Sequence, residues 1–442
     1  MTFLLAVPAI FAQLAMCLMS FIDAAMVGRL GSAPAAAIGI VSTATWLFGS
    51  LCYANSSGFS VQIAHRCGAH DFGEAGTIFR EGLFFTFLAG LILGGTAFAI
   101  GGPLPVWLGG GEDIVEDASG YFRIYAAFLP IFQIAVFCEA SLIASGNLKF
   151  PSIVSMLMCL LDVGFNYIFI FLLDMGVEGA AIGTGLSELC AAAALLFYAL
   201  RSSAELGGRR GRIRPFRDGR HSLRAAAGIS WPLWIQNIVT RGAHVAATAL
   251  VAPLGTIAIA ANSFAIIAEG FCYLPGFGMQ DAATTLVGQS LGAGRKNLAR
   301  RFAWITICAG AVMMSCLAVL MWAFAPQIMG LMSRDPQVVV LGAECLRIEA
   351  WAEMFFAVGI VGNGCCVGAG DTLVPSVVNV GCMWLVRIGL ASLLIPHFGL
   401  QGYWIAMAVE LSVRGLIFAA RIRGDKWMKT NLLLSLDVEK RR

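Results

Sequence analysis

Four polar side chains have the types that an ion-binding site needs, and two of them also have a helical spacing. Asp23 lies in the otherwise apolar stretch LMSFIDAAMV, and Asp162 and Asn166 lie in LLDVGFNYIF. The last two are four positions apart, which places them on one face of a helix, and Thr184 adds a hydroxyl further along the chain. Carboxylate, amide and hydroxyl oxygens bind hard cations, whereas two desolvated carboxylates that repel each other suit reversible protonation. The chemistry indicated is the binding of a hard cation or of a proton.

These side chains belong to a membrane protein. Of the 442 residues, 59% are hydrophobic and 12% are charged, and the mean hydropathy is +0.81, far from the composition of a soluble domain. Apolar runs of about 20 residues, each long enough to cross a hydrocarbon core as a helix, recur from end to end. A β-barrel is excluded because the runs do not alternate between apolar and polar residues. The sequence predicts twelve spans, at 2–27, 36–63, 82–108, 119–146, 150–173, 177–200, 225–252, 256–288, 302–326, 338–367, 373–395 and 399–420.

The apolar surroundings make Asp23 costly, and this cost points to a function. A carboxylate inside a span costs about 2.5–3.5 kcal/mol on insertion scales, and it normally faces a polar cavity, a partner or an ion path. The alternative interpretation is that Asp23 lies near the outer interface and simply reaches water.

Basic residues predict the orientation of the chain. With the N-terminus inside, the inner loops and the tail contain most of the 29 Lys and Arg, whereas the outer loops contain Arg29 and Arg334 together with several acids. Positively charged loops face the cytoplasm, so we expect both termini to be cytoplasmic. We expect the chain itself to lie in the plasma membrane. The Arg-rich segment 201–224 is predicted to be a cytoplasmic linker rather than a nucleic-acid or anionic-lipid patch, and 421–442 a cytoplasmic tail.

The chain contains an internal repeat with an offset of 224 residues. Glycines and prolines at predicted helix breaks carry it, and one residue is slipped where GVEGAAI at 176 matches GLQGYWI at 399. The matching pairs include Pro8 with Pro232, Gly31 with Gly255, Gly68 with Gly292, Gly146 with Gly370 and Pro151 with Pro375. The sequence therefore predicts two six-helix lobes, 1–200 and 225–420. Two halves of this kind, related by an axis along the membrane normal, are typical of transporters with a central cavity.

Acids in the second half have two interpretations. The shift places Ala247 opposite Asp23, so the acid of the first span is not repeated. Charged groups nearby are Glu269, Glu349, Glu353 and Glu410, with Arg241, His244 and Arg387 as candidate partners. Either these groups form neutralised buried pairs, or Glu269, Glu349 and Glu353 form a second coupling site or bind the substrate.

The chain resembles the multidrug and toxic compound extrusion (MATE) transporters along essentially its whole length. The motifs that carry this resemblance occur in the family's order and are duplicated. They are Pro8 followed fifteen residues later by the acid of DAAMVGRLG, then MGVEGAAIGT, LVGQSLGAG and GAGDTLVPS. The resemblance implies an all-α integral membrane fold, with twelve transmembrane helices in two pseudo-symmetric six-helix bundles that form a V. It also implies antiport of organic, often cationic, compounds such as drugs against protons or sodium, by alternating access.

The resemblance gives the polar residues of the first lobe a role. The family's cation site has an Asp on the first span, an Asn and an Asp one turn apart on the fifth, and a Thr on the sixth. The matching residues here are Asp23, Asp162, Asn166 and Thr184. The commoner order on the fifth span is Asn before Asp, so the carboxylate is shifted here by about one turn, roughly 6 Å. The choice between sodium and proton therefore stays open.

Pro8 is a candidate for the moving part of the mechanism. A proline inside a helix removes a backbone hydrogen bond and favours a kink, and Pro8 precedes Asp23 in the first span. We expect ion binding at Asp23 to bias this helix between bent and straighter forms. A static kink that packing requires is the alternative.

The predicted function is efflux driven by an ion gradient, since the sequence has no nucleotide-binding domain. The expected partners are a small organic substrate and membrane lipid, and no nucleic acid is expected. The coupling ion, H⁺ or Na⁺, is the only cofactor expected. The chain is expected to be a monomer. One alternative is a lipid-linked saccharide flippase of the same superfamily, although a pyrophosphate calls for more cations than Arg241 and Arg387 in the span centres. The other is a membrane enzyme, for which the sequence contains no supporting nucleophile or metal set.

Overall fold

The structure is a computed structural model that describes residues 2–207 and 220–428, and every regular element within these two ranges is a helix. The predicted all-α fold is confirmed. The middle of the predicted linker, 208–219, and the predicted tail beyond residue 428 lie outside the described residues.

The first half of the chain follows predicted spans one to six, with one short extra helix before the fourth span. π-helical turns extend the last two helices at Ile168–Leu172 and Tyr198–Ser202. The helices are α1 (Thr2–Gly28), α2 (Ser32–Gly68), α3 (Phe72–Ile100), α4 (Leu104–Trp107), α5 (Glu112–Ala144), α6 (Lys149–Tyr167) and α7 (Gly176–Phe197).

The second half follows predicted spans seven to twelve with two differences, a broken tenth span and a merged eleventh and twelfth. A π-helical segment, Cys382–Ile388, joins two of its helices. The helices are α8 (Arg220–Val251), α9 (Thr256–Gly292), α10 (Lys296–Met332), α11 (Pro336–Ala350), α12 (Glu353–Gly368), α13 (Leu373–Gly381) and α14 (Gly389–Arg423).

Within the described ranges, nine helices are long and apolar enough to cross a membrane, or ten when the bent pair α11 and α12 counts as one span. Two predicted spans account for the difference from twelve. The run Leu373–Arg423 contains two spans that meet at Gly399, whose φ of 57° is not helical. The other is α8, in which Gln236, Arg241 and His244 lower the hydropathy.

The tenth predicted span, 338–367, is not one straight helix. It consists of α11 and α12, which are bent by 58° at a short break. Glu349 lies just before the break and Glu353 just after it. No proline or glycine occurs in the segment EAWAE that contains the break, so the usual sequence marks of a kink are missing there.

Turns with positive φ recur at the predicted repeat offset. Three pairs of residues 224 positions apart have φ values between 59° and 124°. The pairs are Gly31 with Gly255, His70 with Gly294, and Gly146 with Gly370. Glycine adopts positive φ without a steric cost, which explains why the repeat is most visible at glycines.

The chain separates into two contact units whose limits fall inside helices. The first unit is Leu14–Trp234, and the second contains the chain up to Gln13 and from Ile235 through α14. The division therefore cuts α1 a few residues after Pro8 and cuts α8 just after Pro232. The lobe boundaries at 200 and 225 stay a prediction.

Each contact unit has its own apolar core. In the first, the Phe79 ring stacks on Phe137 with centroids 5.4 Å apart, and Phe59 packs edge-on against Phe137 at 6.1 Å. In the second, the fully buried Trp404 donates from Nε1 to Asn262 Oδ1 at 3.1 Å. Aromatic packing and a paired indole N–H make these cores rigid supports for the polar groups described below.

Candidate cation-binding site

Asn166 joins the two carboxylates predicted for the first lobe. Its Nδ2 donates to Asp23 Oδ1 and to Asp162 Oδ2, both at 3.0 Å, and the two carboxyl groups also interact with each other. Asp162 and Asn166 are 0% and 1% exposed, whereas Asp23 is half-buried. The fold thus brings a residue of α1 into contact with a residue of α6 that is 143 positions away.

Ser187 on α7 is a further member of this cluster. Its Oγ lies 3.2 Å from Asp162 Oδ1 and 2.8 Å from the backbone carbonyl oxygen of Thr184, and its side chain is fully buried. Thr184 itself is half-buried, and its side chain interacts with Asp162. The structure therefore places all four predicted residues together and adds Ser187, which the sequence analysis missed. Its position three residues after Thr184, on the same helix face, was the available signal.

Close packing of α7 against α6 positions the cluster. A Cβ added at Gly179 would come within 2.8 Å of the Phe169 carbonyl oxygen, and one added at Gly183 would overlap Asn166 Oδ1. Small residues at helix interfaces permit such close approach. The π-helical turn that begins at Ile168 directly follows this segment, and π-helical turns are frequent at functional sites.

The amide oxygen of Asn166 is buried and has no hydrogen-bond partner in the part of the chain that the structure describes. Buried polar atoms are nearly always paired, so this oxygen is suited to a cation or to a hydroxyl donor. No group of three His, Cys, Asp or Glu among the described residues is arranged to hold a metal ion. A sodium ion here would therefore depend on amide and hydroxyl oxygens as well as the two carboxylates.

In the second contact unit, a buried glutamate is neutralised by arginines. Glu410 on α14 is 0% exposed, and its Oε2 accepts hydrogen bonds from Arg387 Nη2 at 2.7 Å and Nε at 3.2 Å. Arg414 Nε lies 3.3 Å from Glu410 Oε1. Of the two interpretations of the second-half acids, the neutralised ion pair fits Glu410, with Arg414 as a partner that the sequence did not reveal.

The other three acids of the second half differ from Glu410. Glu269, Glu349 and Glu353 are buried on α9, α11 and α12, and the charges of Glu269 and Glu353 interact with Glu349. The carboxyl oxygens of Glu349 and Glu353 have no hydrogen-bond partner within the described ranges. Arg387 is within electrostatic range of Glu349, but its hydrogen bonds go to Glu410. Within residues 2–207 and 220–428, the structure therefore groups these acids and shows no ion pair for them like that of Glu410.

An all-helical chain with repeated halves, long apolar spans and carboxylates buried inside those spans is, by class, a membrane transporter. A family model described as MatE matches residues 8–168 and 232–393, two segments whose first residues are 224 positions apart. The chain belongs to the MatE family of membrane transporters.

Known relatives are similar along nearly the whole chain. A Thermotoga maritima protein described as probable multidrug resistance protein NorM is 25% identical over 439 aligned positions, and the alignment covers 97% of this chain and 93% of that relative. A Pseudomonas aeruginosa protein of the same description is 29% identical over 425 aligned positions, in an alignment that covers 92% of this chain and 86% of that relative. The crystal structure of a Vibrio cholerae MATE transporter covers 96% of this chain and 95% of its own, with a TM-score of 0.89 at 20% identity. The predicted family and fold class are confirmed.

Proposed function

We propose that this chain is an ion-coupled exporter, an antiporter that moves organic, often cationic, compounds out of the cytoplasm in exchange for protons or sodium by alternating access. The description of its relatives as probable multidrug resistance proteins supports drugs among the substrates. The proposed setting is the plasma membrane, with both termini cytoplasmic. The proposed unit is a monomer in contact with membrane lipid and a small organic substrate, without nucleic acid.

The Asn166-bridged carboxylate pair is the observation that carries this proposal. Asp162 is closed to solvent while Asp23 is half-buried, so Asp23 is the more accessible of the two groups. Two carboxylates that share one donor repel each other when both are charged. Binding of a proton or of a cation removes that repulsion. Ion binding can therefore change which conformation of the site is more stable.

The gradient requirement tests the proposal directly. Everted vesicles with this protein would be loaded with ethidium under a proton gradient alone, a sodium gradient alone, or neither. We expect protein-dependent ethidium accumulation under at least one gradient and none without a gradient, because an antiporter cannot move substrate uphill unless an ion moves downhill. Vesicles that lack the protein are the control. Accumulation that is equally fast without either gradient, or absent under both, would refute ion-coupled export of this compound.

We also propose that Pro8 takes part in coupling. It lies inside α1, upstream of Asp23, and α1 passes from one contact unit to the other at Gln13. A Pro8→Ala protein regains a backbone hydrogen bond, and we expect gradient-driven ethidium efflux to fall several-fold while the protein stays stable. Efflux and ion dependence equal to those of the unmodified protein would show that Pro8 only shapes a static kink.

For Glu269, Glu349 and Glu353, we propose a role in binding a second ion or a cationic group of the substrate. An uncompensated charged carboxylate is too costly to bury, so each of these groups needs a proton or a cation. Glu349 and Glu353 flank the 58° bend between α11 and α12, and interrupted helices are where many transporters bind their ions. Gradient-driven ethidium efflux by the Glu269→Gln, Glu349→Gln and Glu353→Gln proteins tests this proposal, and normal efflux by all three would contradict it.

A further inference from the structure

In the proposed ion exchange Asp162 gains and loses its ligand in a place that is closed to solvent, and the buried Ser187 hydroxyl beside it can serve both states. We propose that Ser187 determines the coupling ion of this transporter, by accepting a hydrogen bond from protonated Asp162 and donating one to the carboxylate, so that the ion exchanged is the proton. This inference rests on the proposed function, because it names the ion that the carboxylate pair exchanges.

The Ser187 hydroxyl has one hydrogen and two acceptors within reach. Its Oγ lies 3.2 Å from Asp162 Oδ1 and 2.8 Å from the Thr184 carbonyl oxygen. A serine hydroxyl donates one hydrogen bond and accepts up to two, and its hydrogen rotates to suit the surroundings. The hydrogen therefore serves either Asp162 or Thr184 at any moment, and a rotation about the side chain exchanges the two.

Each orientation of the Ser187 O–H bond gives one protonation state of Asp162 its hydrogen-bond partner. When Asp162 is a carboxylate, Ser187 donates to Oδ1 while Asn166 Nδ2 donates to Oδ2. When a proton binds to Oδ1, the new O–H donates to Ser187 Oγ, and Ser187 turns its own hydrogen to the Thr184 carbonyl. Only one O–H bond forms or breaks, at Asp162. Neither state leaves Asp162 Oδ1 or the Ser187 hydroxyl unpaired, which would be costly.

The amide beside the carboxylates favours a proton over sodium. Asn166 presents its Nδ2 hydrogens to both Asp23 and Asp162, and its Oδ1 lies against Gly183 on the other side. An amide oxygen turned toward two carboxylates would be repelled, so this orientation follows from the charges themselves. Sodium would need oxygens converging on one point, which requires the amide to turn over and give up both hydrogen bonds.

The titratable groups around Asp162 come from four helices. Asp23 on α1 shares the Asn166 donor, Tyr121 on α5 and Cys159 on α6 interact with the Asp162 charge, and Glu188 on α7 does so as well. These groups surround Asp162, and Asp23 is joined to it through hydrogen bonds from the Asn166 amide. Ser187 and Thr184 both offer Asp162 a hydroxyl that can donate and accept, and of the two Ser187 is the fully buried one.

The test compares four proteins in proteoliposomes under a proton gradient without sodium: unmodified, Ser187→Ala, Ser187→Thr and Ser152→Ala. Ser152 is a matched control, since it is also buried and its hydroxyl donates to the carbonyl oxygen of Leu148, the residue that precedes α6. In Ser187→Ala the carboxylate loses a charge-assisted hydrogen bond and the acid loses a weaker neutral one. We expect the pH of half-maximal ethidium efflux to rise by about one unit in Ser187→Ala, to shift less in Ser187→Thr, which keeps the hydroxyl, and to stay unchanged in Ser152→Ala.

Infrared difference spectra of the purified proteins, recorded between high and low pH, provide a readout that does not depend on transport. The band of a protonated carboxyl group should disappear in Asp162→Asn and move to higher frequency in Ser187→Ala, because the acid has lost its acceptor. Should Ser187→Ala not fold, Ser187→Cys, whose thiol bonds weakly, should give a smaller shift in the same direction.

The outcomes separate this inference from the function on which it rests. An unchanged pH profile and an unchanged carboxyl band in Ser187→Ala would overturn the role of Ser187. Efflux driven by sodium alone and independent of pH would overturn proton coupling but leave an ion-coupled exporter. Absence of any gradient-driven efflux by the unmodified protein would reject the proposed function itself.

Discussion

The Asp23→Asn protein should reach the membrane in normal amounts and should lose gradient-driven ethidium efflux, down to about the level of vesicles without the transporter. Asparagine has the same shape as aspartate and can still accept a hydrogen bond from Asn166 Nδ2. In the unmodified protein this nitrogen lies 3.0 Å from Asp23 Oδ1. The substitution therefore keeps the packing. Because asparagine cannot take up a proton or balance the charge of a cation, ion binding at this position is lost. The measurement is efflux under the gradient that drives the unmodified protein, normalised to the amount of protein in the membrane.

Asp335→Asn is the matched control for this substitution. Asp335 is exposed and caps α11 by accepting from the Gln337 N–H at 2.9 Å, and asparagine caps a helix equally well, so efflux should be unchanged. If Asp23→Asn transports normally, Asp23 is only a solvated helix end, and the coupling carboxylate lies at Asp162 or among the second-half acids. Glu349→Gln and Glu353→Gln in the same assay decide whether those acids contribute.

Replacement of Arg387 by leucine is expected to destabilise the second contact unit by about 3–5 kcal/mol, the range found when one partner of a buried ion pair is removed. Glu410 is fully buried and receives both of its short hydrogen bonds from Arg387, so the substitution leaves a buried charge with one partner. Arg414 Nε lies 3.3 Å from the other carboxyl oxygen of Glu410. Because this arginine remains, we expect the loss of stability to be near the lower end of that range. Thermal unfolding of the detergent-purified protein, followed by size-exclusion recovery, measures the effect.

The double substitution Arg387→Leu with Glu410→Leu is the informative control for this prediction. It removes the uncompensated charge together with its partner, and apolar replacements of buried ion pairs are often neutral or stabilising. Most of the lost thermal stability should therefore return. If the single variant were as stable as the unmodified protein, the Arg387–Glu410 contact would contribute nothing measurable to the fold.

The fold class and the repeat could be predicted from sequence because both depend on local properties. Long apolar runs have to form helices in a membrane, since helices satisfy their own backbone groups. Positive-φ turns select glycine, so Gly31 with Gly255 and Gly146 with Gly370 reveal the repeat in the sequence and in the structure alike. The bend between Glu349 and Glu353 could not be predicted, because neither proline nor glycine marks it.

For the candidate site, the sequence by itself determined the inventory. Helical periodicity placed Asp162 and Asn166 on one face, and the cost of a charge in an apolar span singled out Asp23. Only the tertiary structure decided that one amide bridges both carboxylates and that Ser187 faces Asp162. Periodicity relates residues within one helix, whereas these contacts join α1, α6 and α7. They depend on the distance between helices, which small side chains such as Gly183 set through packing.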